Sequence, residues 1–218
     1  MFNHEHSAWQ SDCLLVGIDE VGRGPLAGPV VAAAVVLPRG HCGVGGVRDS
    51  KQVKSRAERE ALARAIRREA LCLAVGAATV TEIDELNILR ATTLAMSRAL
   101  QRCLSRLGGA PVRVVVDGLP VRGLGAEHTA IVKGDSCCHS IAAASLVAKV
   151  TRDRWMRLLA RQHPGYGWDS NVGYASRAHV EALRQLGLSP HHRRQFCATA
   201  LERQVELVLD TPEQVAAS

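Results

Sequence analysis

Two adjacent acids cut short the first apolar run of the chain. Leu14-Leu15-Val16-Gly17-Ile18 has the make-up of a buried strand, Asp19-Glu20 ends it, and Gly22-Arg23-Gly24 turns the chain into a second apolar run, Pro29 to Leu37. The acids therefore stand between two strands, inside the fold rather than on a peripheral loop. Burying two carboxylates there is unfavourable unless a cation or hydrogen bonds compensate them. A divalent metal does so most simply. Gly22 and Gly24 leave the backbone beside Arg23 free to take φ > 0 and to approach a ligand closely, which suits a metal-bound phosphate. An Asp-Glu pair at a strand end is also a common solvated turn, and only the two flanking strands weigh against that reading here.

Two further acids end apolar stretches. Asp117 follows Val112 to Val116, and Asp135 follows Thr129 to Val132, which places both where strands give way to loops. Asp117 before Gly118 equally has the look of an ordinary turn. Strand ends of one sheet can converge, and four carboxylates drawn together repel and shift one another's pKa unless magnesium or manganese neutralises them.

The wider pattern predicts strands near 14–19, 29–37, 71–79, 112–117 and 128–132, and helices over 55–70, 88–107, 140–162, 176–186 and 198–209. Ser55, three before Glu58, reads as a capping box. Strands come first and helices alternate afterwards, so the class is α/β, a mixed sheet with helices on its faces. With 218 residues, 47% of them hydrophobic, the chain suits one globular domain with a full core. Residues 1–12 are expected to be a flexible tail, 13–210 the domain, and 211–218 a loose C-terminal tail. The formal charge of +6 favours a polyanionic partner. Arg152, Arg154, Arg157, Arg161, Arg177, Arg184, Arg193 and Arg194 gather the excess in the last third, although a generic basic surface would look the same.

Seven cysteines, odd in number and without Cys-x-x-Cys spacing, indicate neither a disulfide framework nor a zinc site. Cys137-Cys138-His139 does not change this, because adjacent side chains rarely converge on one tetrahedral ion. No apolar run has the length of a membrane span, and residues 1–11 have no secretory core, so a cytoplasmic protein with no membrane partner is expected.

The ordered motifs resemble those of ribonuclease HII, the bacterial family that cuts at ribonucleotides in DNA. They are Gly17 to Pro29, Asp49-Ser50-Lys51, Glu82-Ile83-Asp84 with Asn87 to Thr92, Val114 to Gly118 and Lys133-Gly134-Asp135-Ser136. Ser140 to Ser145, Lys149 to Arg154, Pro164 to Gly167, Gly173-Tyr174 and Pro190 to Arg193 complete a resemblance over residues 13–196. It implies a ribonuclease H-like mixed sheet flanked by helices, with a helical C-terminal part and a single type 2 catalytic domain over 13–210. The implied activity is metal-dependent hydrolysis on the 5′ side of ribonucleotides in DNA duplexes and of the RNA strand of RNA/DNA hybrids. It leaves 3′-hydroxyl and 5′-phosphate ends and serves ribonucleotide removal and genome maintenance.

Carried onto this chain, the resemblance makes Asp19, Glu20, Asp117 and Asp135 the catalytic acids and the ligands of Mn2+ or Mg2+, with Asp19 bridging two ions. Gly22, Arg23 and Gly24 would contact the RNA–DNA junction, and Tyr174 would touch the 2′-hydroxyl and stack on the next deoxyribose. Lys51 and Arg193 are candidate phosphate contacts. Lys149 ranks below Lys51, because its place four before Asp153 equally suits a helix-face ion pair. Two departures remove positive charge: Cys137 stands where the family usually has lysine, and Ser170-Asn171-Val172 where it usually has Lys-His-Lys. Fewer phosphate contacts flatten the salt dependence of binding. Gln204-Val205-Glu206-Leu207 begins like a sliding-clamp peptide but lacks its aromatic pair, so no clamp partner is expected by that route; a monomer is expected. Two alternatives stand beside this reading. Ribonuclease HIII is disfavoured by Arg23, where that family has lysine, and by its extra N-terminal domain. A silent nucleic-acid-binding protein is disfavoured by the four intact acids.

Overall fold

The apolar run after the glycine turn becomes a strand buried along its whole length. In a computed structural model of the chain, which describes residues 3–41 and 55–209, this is β2 (Val30–Val36), all seven of whose residues are buried. Such unbroken burial marks a strand covered on both faces. It lies in a five-stranded sheet with β1 (Leu14–Val21), β3 (Cys72–Ala78), β4 (Val112–Asp117) and β5 (Thr129–Ile131), in the order β3-β2-β1-β4-β5. The β1–β2 and β2–β3 pairs are antiparallel, whereas β1–β4 and β4–β5 are parallel.

Alternation along the strands assigns the two faces. Ala33 and Val35 pack with Leu73 and Val75 against Ile66 of α2 (Arg56–Glu69) and the alanine-rich start of α6 (His139–Gln162). Gly17, paired with Val35, lets α6 lie directly on β1: a Cβ there would come within 2.4 Å of the Ser140 backbone. Gly76 pairs with Ala32 and so faces the other way, where a Cβ would sit 2.2 Å from the Ala95 carbonyl oxygen of α4 (Ile88–Arg106).

The chain groups into two compact units, Met1–Arg23 with Pro29–Trp155, and Gly24–Gly28 with Met156–Ser218. The second has its own core of Leu26, Ala27, Met156, Trp168, Val180 and Leu183. Tyr166 stacks on Trp168 there, with ring centroids 5.1 Å apart. Its helices include α7 (Trp168–Asn171), α8 (Arg177–Leu186) and α9 (Arg194–Leu209).

All five strands and five long helices stand where the sequence pattern put them, although α9 begins at Arg194 rather than near 198. Ser55 caps α2 by accepting from the Glu58 amide, and the reciprocal capping box forms at Thr79 and Glu82, at the start of α3 (Val80–Leu86). The N-terminal segment is a correction. Asn3–Gln10 is a helix, α1, rather than a loose tail, because Glu5 is fully buried and its carboxylate accepts from the Ser140 amide and hydroxyl at 2.8 and 3.0 Å. The described cysteines are free thiols, and among the described residues no helix is long and apolar enough to cross a membrane.

Candidate active site

β1 runs through both acids to Val21, and its parallel pairing with β4 sets Ile18 opposite Val116, so the next residues, Asp19 and Asp117, stand side by side where that pairing stops. Asp19 shares the face of Gly17 and is only 7% exposed. Its Oδ1 accepts from the Glu20 amide at 2.7 Å, and the Ser145 hydroxyl on α6 also bonds its carboxylate. These bonds do not offset its surroundings. Burial above all, then the Glu20 and Asp117 charges, hold the Asp19 carboxyl well above the usual carboxylate range. Burial likewise raises Glu20, against the opposing pull of Arg23, whose Nη1 donates to Glu20 Oε1 at 3.3 Å.

Asp117 accepts from the Gly134 amide through Oδ1 at 2.6 Å. Lys133 makes this possible by taking a left-handed conformation, φ 56°, that turns the chain after β5. The bond draws the short helix α5 (Gly134–Cys137) to the end of β4, and with it Asp135, which is buried and accepts from the Ser136 hydroxyl at 3.3 Å. Hard carboxylate oxygens, two of them on acids whose ionisation is resisted, fit Mg2+ or Mn2+ by chemistry. Among the described residues no three such groups are gathered into a ready-made shell. The chain presents acids linked pairwise, Asp19 to Glu20 and Asp117, and Asp117 to the backbone beside Asp135.

The glycine turn divides into two roles. Gly22 has φ 93°, and a Cβ there would lie 2.2 Å from Nε of Arg152, which is fully buried and donates to the Pro29 carbonyl at 2.9 Å. Gly22 is thus required by packing on Arg152, where the sequence implied only room for a ligand. A Cβ on Gly24 would meet no atom of the described residues within 4 Å, so none of them demands glycine there. The Arg23 side chain is 51% exposed.

Tyr174 belongs to the second unit and is 45% exposed. The turn before it depends on Asn171, whose side chain donates to the Tyr166 carbonyl and accepts from the Gly173 amide, both at 2.8 Å. One residue of the Ser170-Asn171-Val172 departure is therefore committed to shaping the backbone. Arg193 is a correction: it is fully buried, with Nε and Nη2 donating to the Gly28 carbonyl at 3.0 and 2.8 Å, which leaves no surface for a phosphate. Lys149 pairs with Asp153 at 3.1 Å, the plain alternative for that residue. Lys51 lies outside the described residues. Ser145, Gly134 and Arg152, which build this site, stand inside motifs read from the sequence, but their roles were not legible there, since each acts through a contact remote in the chain.

A model of the ribonuclease HII family matches residues 16–199. The chain is 50% identical over 196 residues to ribonuclease HII of Synechococcus sp. (strain JA-3-3Ab), covering 88% of this chain and 86% of that protein. It is 53% identical over 197 residues to ribonuclease HII of Cereibacter sphaeroides (strain ATCC 17025 / ATH 2.4.3), covering 89% and 90%. Among solved structures it is similar to ribonuclease HII of Archaeoglobus fulgidus, determined in complex with PCNA. There the TM-score is 0.67 at 26% identity, over 83% of this chain and 93% of that one.

Proposed function

The chain belongs to the ribonuclease HII family, and from that premise we propose that it is a divalent-metal-dependent endonuclease cutting on the 5′ side of ribonucleotides embedded in duplex DNA and within RNA/DNA hybrids. Asp19 carries the reading: a carboxylate buried within β1 beside two other acids, with its ionisation resisted, is a poor structural element and a good cation ligand. Asp19, Glu20, Asp117 and Asp135 are the residues that would hold the metal. Bound there, Mg2+ or Mn2+ supplies activation of water and neutralisation of charge on the departing 3′ oxygen.

The polypeptide does the rest by placement. The Ser145 bond and the Glu20 amide fix the Asp19 carboxylate, and the Gly134 amide fixes that of Asp117, so each presents its remaining lone pairs in a set direction. Arg23, half out in solvent, serves the junction phosphate, and the open side of Gly24 admits a sugar-phosphate backbone. Tyr174 offers a flat face to the deoxyribose and a hydroxyl to the 2′-oxygen. The acids require no covalent enzyme intermediate. The setting is cytoplasmic ribonucleotide removal by a monomer, with no membrane and no clamp partner. PCNA binding is a property of the archaeal protein, and the Gln204 to Leu207 stretch here lacks the aromatic pair.

A DNA duplex with one embedded ribonucleotide tests the proposal. Expected is a single cut that depends on Mg2+ or Mn2+, stops with chelator, and leaves a 3′-hydroxyl and a 5′-phosphate on the ribonucleotide. A chelator-insensitive cut leaving a 2′,3′-cyclic phosphate, or binding without any cut, would overturn it.

A further inference from the structure

Behind Tyr174 lies a buried hydrogen-bond relay whose proton positions the geometry determines. The Ser189 amide donates to Nδ1 of His192 at 2.9 Å, so that nitrogen is bare and a neutral His192 carries its proton on Nε2. That nitrogen lies 3.1 Å from Nε2 of His179. Nε2 of His179 in turn receives the Trp168 indole N–H at 3.0 Å, which makes it the acceptor for both neighbours. Its proton must then sit on Nδ1, which lies 2.8 Å from the Tyr174 carbonyl, a group that can only accept. His179 and His192 are both buried, and the Tyr166 ring meets His192 in an edge-on contact, with ring centroids 4.7 Å apart. Burial lowers the pKa of both histidines, that of His192 to about 4, which keeps the neutral tautomers in place.

We propose that His179 and His192 are positioning residues for Tyr174, fixing through its carbonyl the backbone from which the aromatic ring projects. The Tyr174 carbonyl also accepts from the Ser176 amide, and the Tyr174 amide donates to the Asn171 carbonyl. The half-exposed ring therefore stands on a backbone unit held from both ends, and the histidine relay is the part that reaches into the core. A reader that must distinguish one sugar step needs such preorganisation, because a loose ring gives its binding energy equally to every register. The inference rests on the reading of Tyr174 as the residue that recognises the ribose-to-deoxyribose step.

The test compares two amides. His179→Asn places an N–H donor where Nδ1 was and keeps the bond to Tyr174. His179→Gln places its amide where Nε2 was and loses that bond. The readout is the ratio of kcat/KM on a duplex with one embedded ribonucleotide to that on an all-RNA/DNA hybrid, with Tyr174→Ala as reference. Expected are comparable falls in Tm for both amides, a fall in the ratio of up to about tenfold for Gln, and a change within about twofold for Asn. Equal ratios in the two amides, with Tyr174→Ala still altering the ratio, would overturn the relay. No effect of Tyr174→Ala would instead remove Tyr174 as the reader, and the relay's role in reading with it. Should the variants not fold, imidazole 15N spectra of the wild-type protein at about pH 7 decide the matter. Opposite neutral tautomers, Nδ1–H on His179 and Nε2–H on His192, are expected, and an Nε2–H His179 contradicts the proposal.

Discussion

Burial separates arginines that sequence cannot tell apart. Arg152 and Arg193 spend their guanidinium groups on the carbonyls of Pro29 and Gly28, whereas Arg23 stands half-exposed beside Glu20. Arg193 read as a phosphate contact only because a sequence does not say which side of a surface a cation faces. Arg23→Ala is expected to leave Tm almost unchanged, since an exposed ion pair contributes about 0–1 kcal/mol, while cleavage at a single ribonucleotide falls at least about tenfold. A large loss of Tm with a proportionate loss of activity would make Arg23 structural. For Tyr174 the useful comparison is Ala against Phe. Tyr174→Phe keeps the flat face and loses one hydrogen bond, a net effect of about 0.5–1.5 kcal/mol, so it should slow cutting by roughly tenfold or less, whereas Tyr174→Ala cripples it. Equal losses in both variants, alike on junction and hybrid substrates, would return Tyr174 to a packing role.

Elements meet at the glycine turn, where β1 ends and α6 pushes Arg152 beneath it. Gly22→Ala forces a side chain into the Arg152 guanidinium at a positive φ, and a stability loss of at least about 1 kcal/mol is expected in urea unfolding. An unchanged midpoint would show that Arg152 moves aside freely. The strands and long helices were legible because period and composition are local properties, as in the unbroken Val30–Val36 run or the Ser55 cap. The acids were legible because each interrupts such a run. What escaped was tertiary. The helix Asn3–Gln10 depends on Glu5 meeting Ser140, and the placement of Asp135 on the Gly134–Asp117 bond, across separations no window of sequence spans. The exchange of Lys-His-Lys for Ser170-Asn171-Val172 read as lost charge, and only the structure shows Asn171 building the turn before Tyr174.

At the scale of the whole molecule, Asp19 and Glu20 contribute a pH dependence opposite to that of a salt-bridged carboxylate such as Glu82, whose pKa Arg98 holds down to about 2. Asp19 and Glu20 have folded pKa values raised above their unfolded ones, so their contribution to stability is full below the ordinary carboxylate range, about 4, and is lost as pH rises through the raised values. Metal-free protein should therefore lose stability on this account above about pH 4, and a divalent cation that binds only the folded state should restore it. Asp19→Asn removes the buried charge yet keeps an oxygen for the Glu20 amide. The decisive measurement is Tm of wild type and Asp19→Asn, without metal and with Mg2+, from about pH 4 to 8, alongside cleavage of the single-ribonucleotide duplex. Without metal the variant is expected to melt above wild type at the alkaline end and level with it at the acid end. Mg2+ should narrow this gap by raising wild type, and cleavage should fall by roughly a hundredfold or more. A variant that melts below wild type at the alkaline end, or that still cuts at the wild-type rate, would contradict the reading of Asp19 as a buried metal ligand.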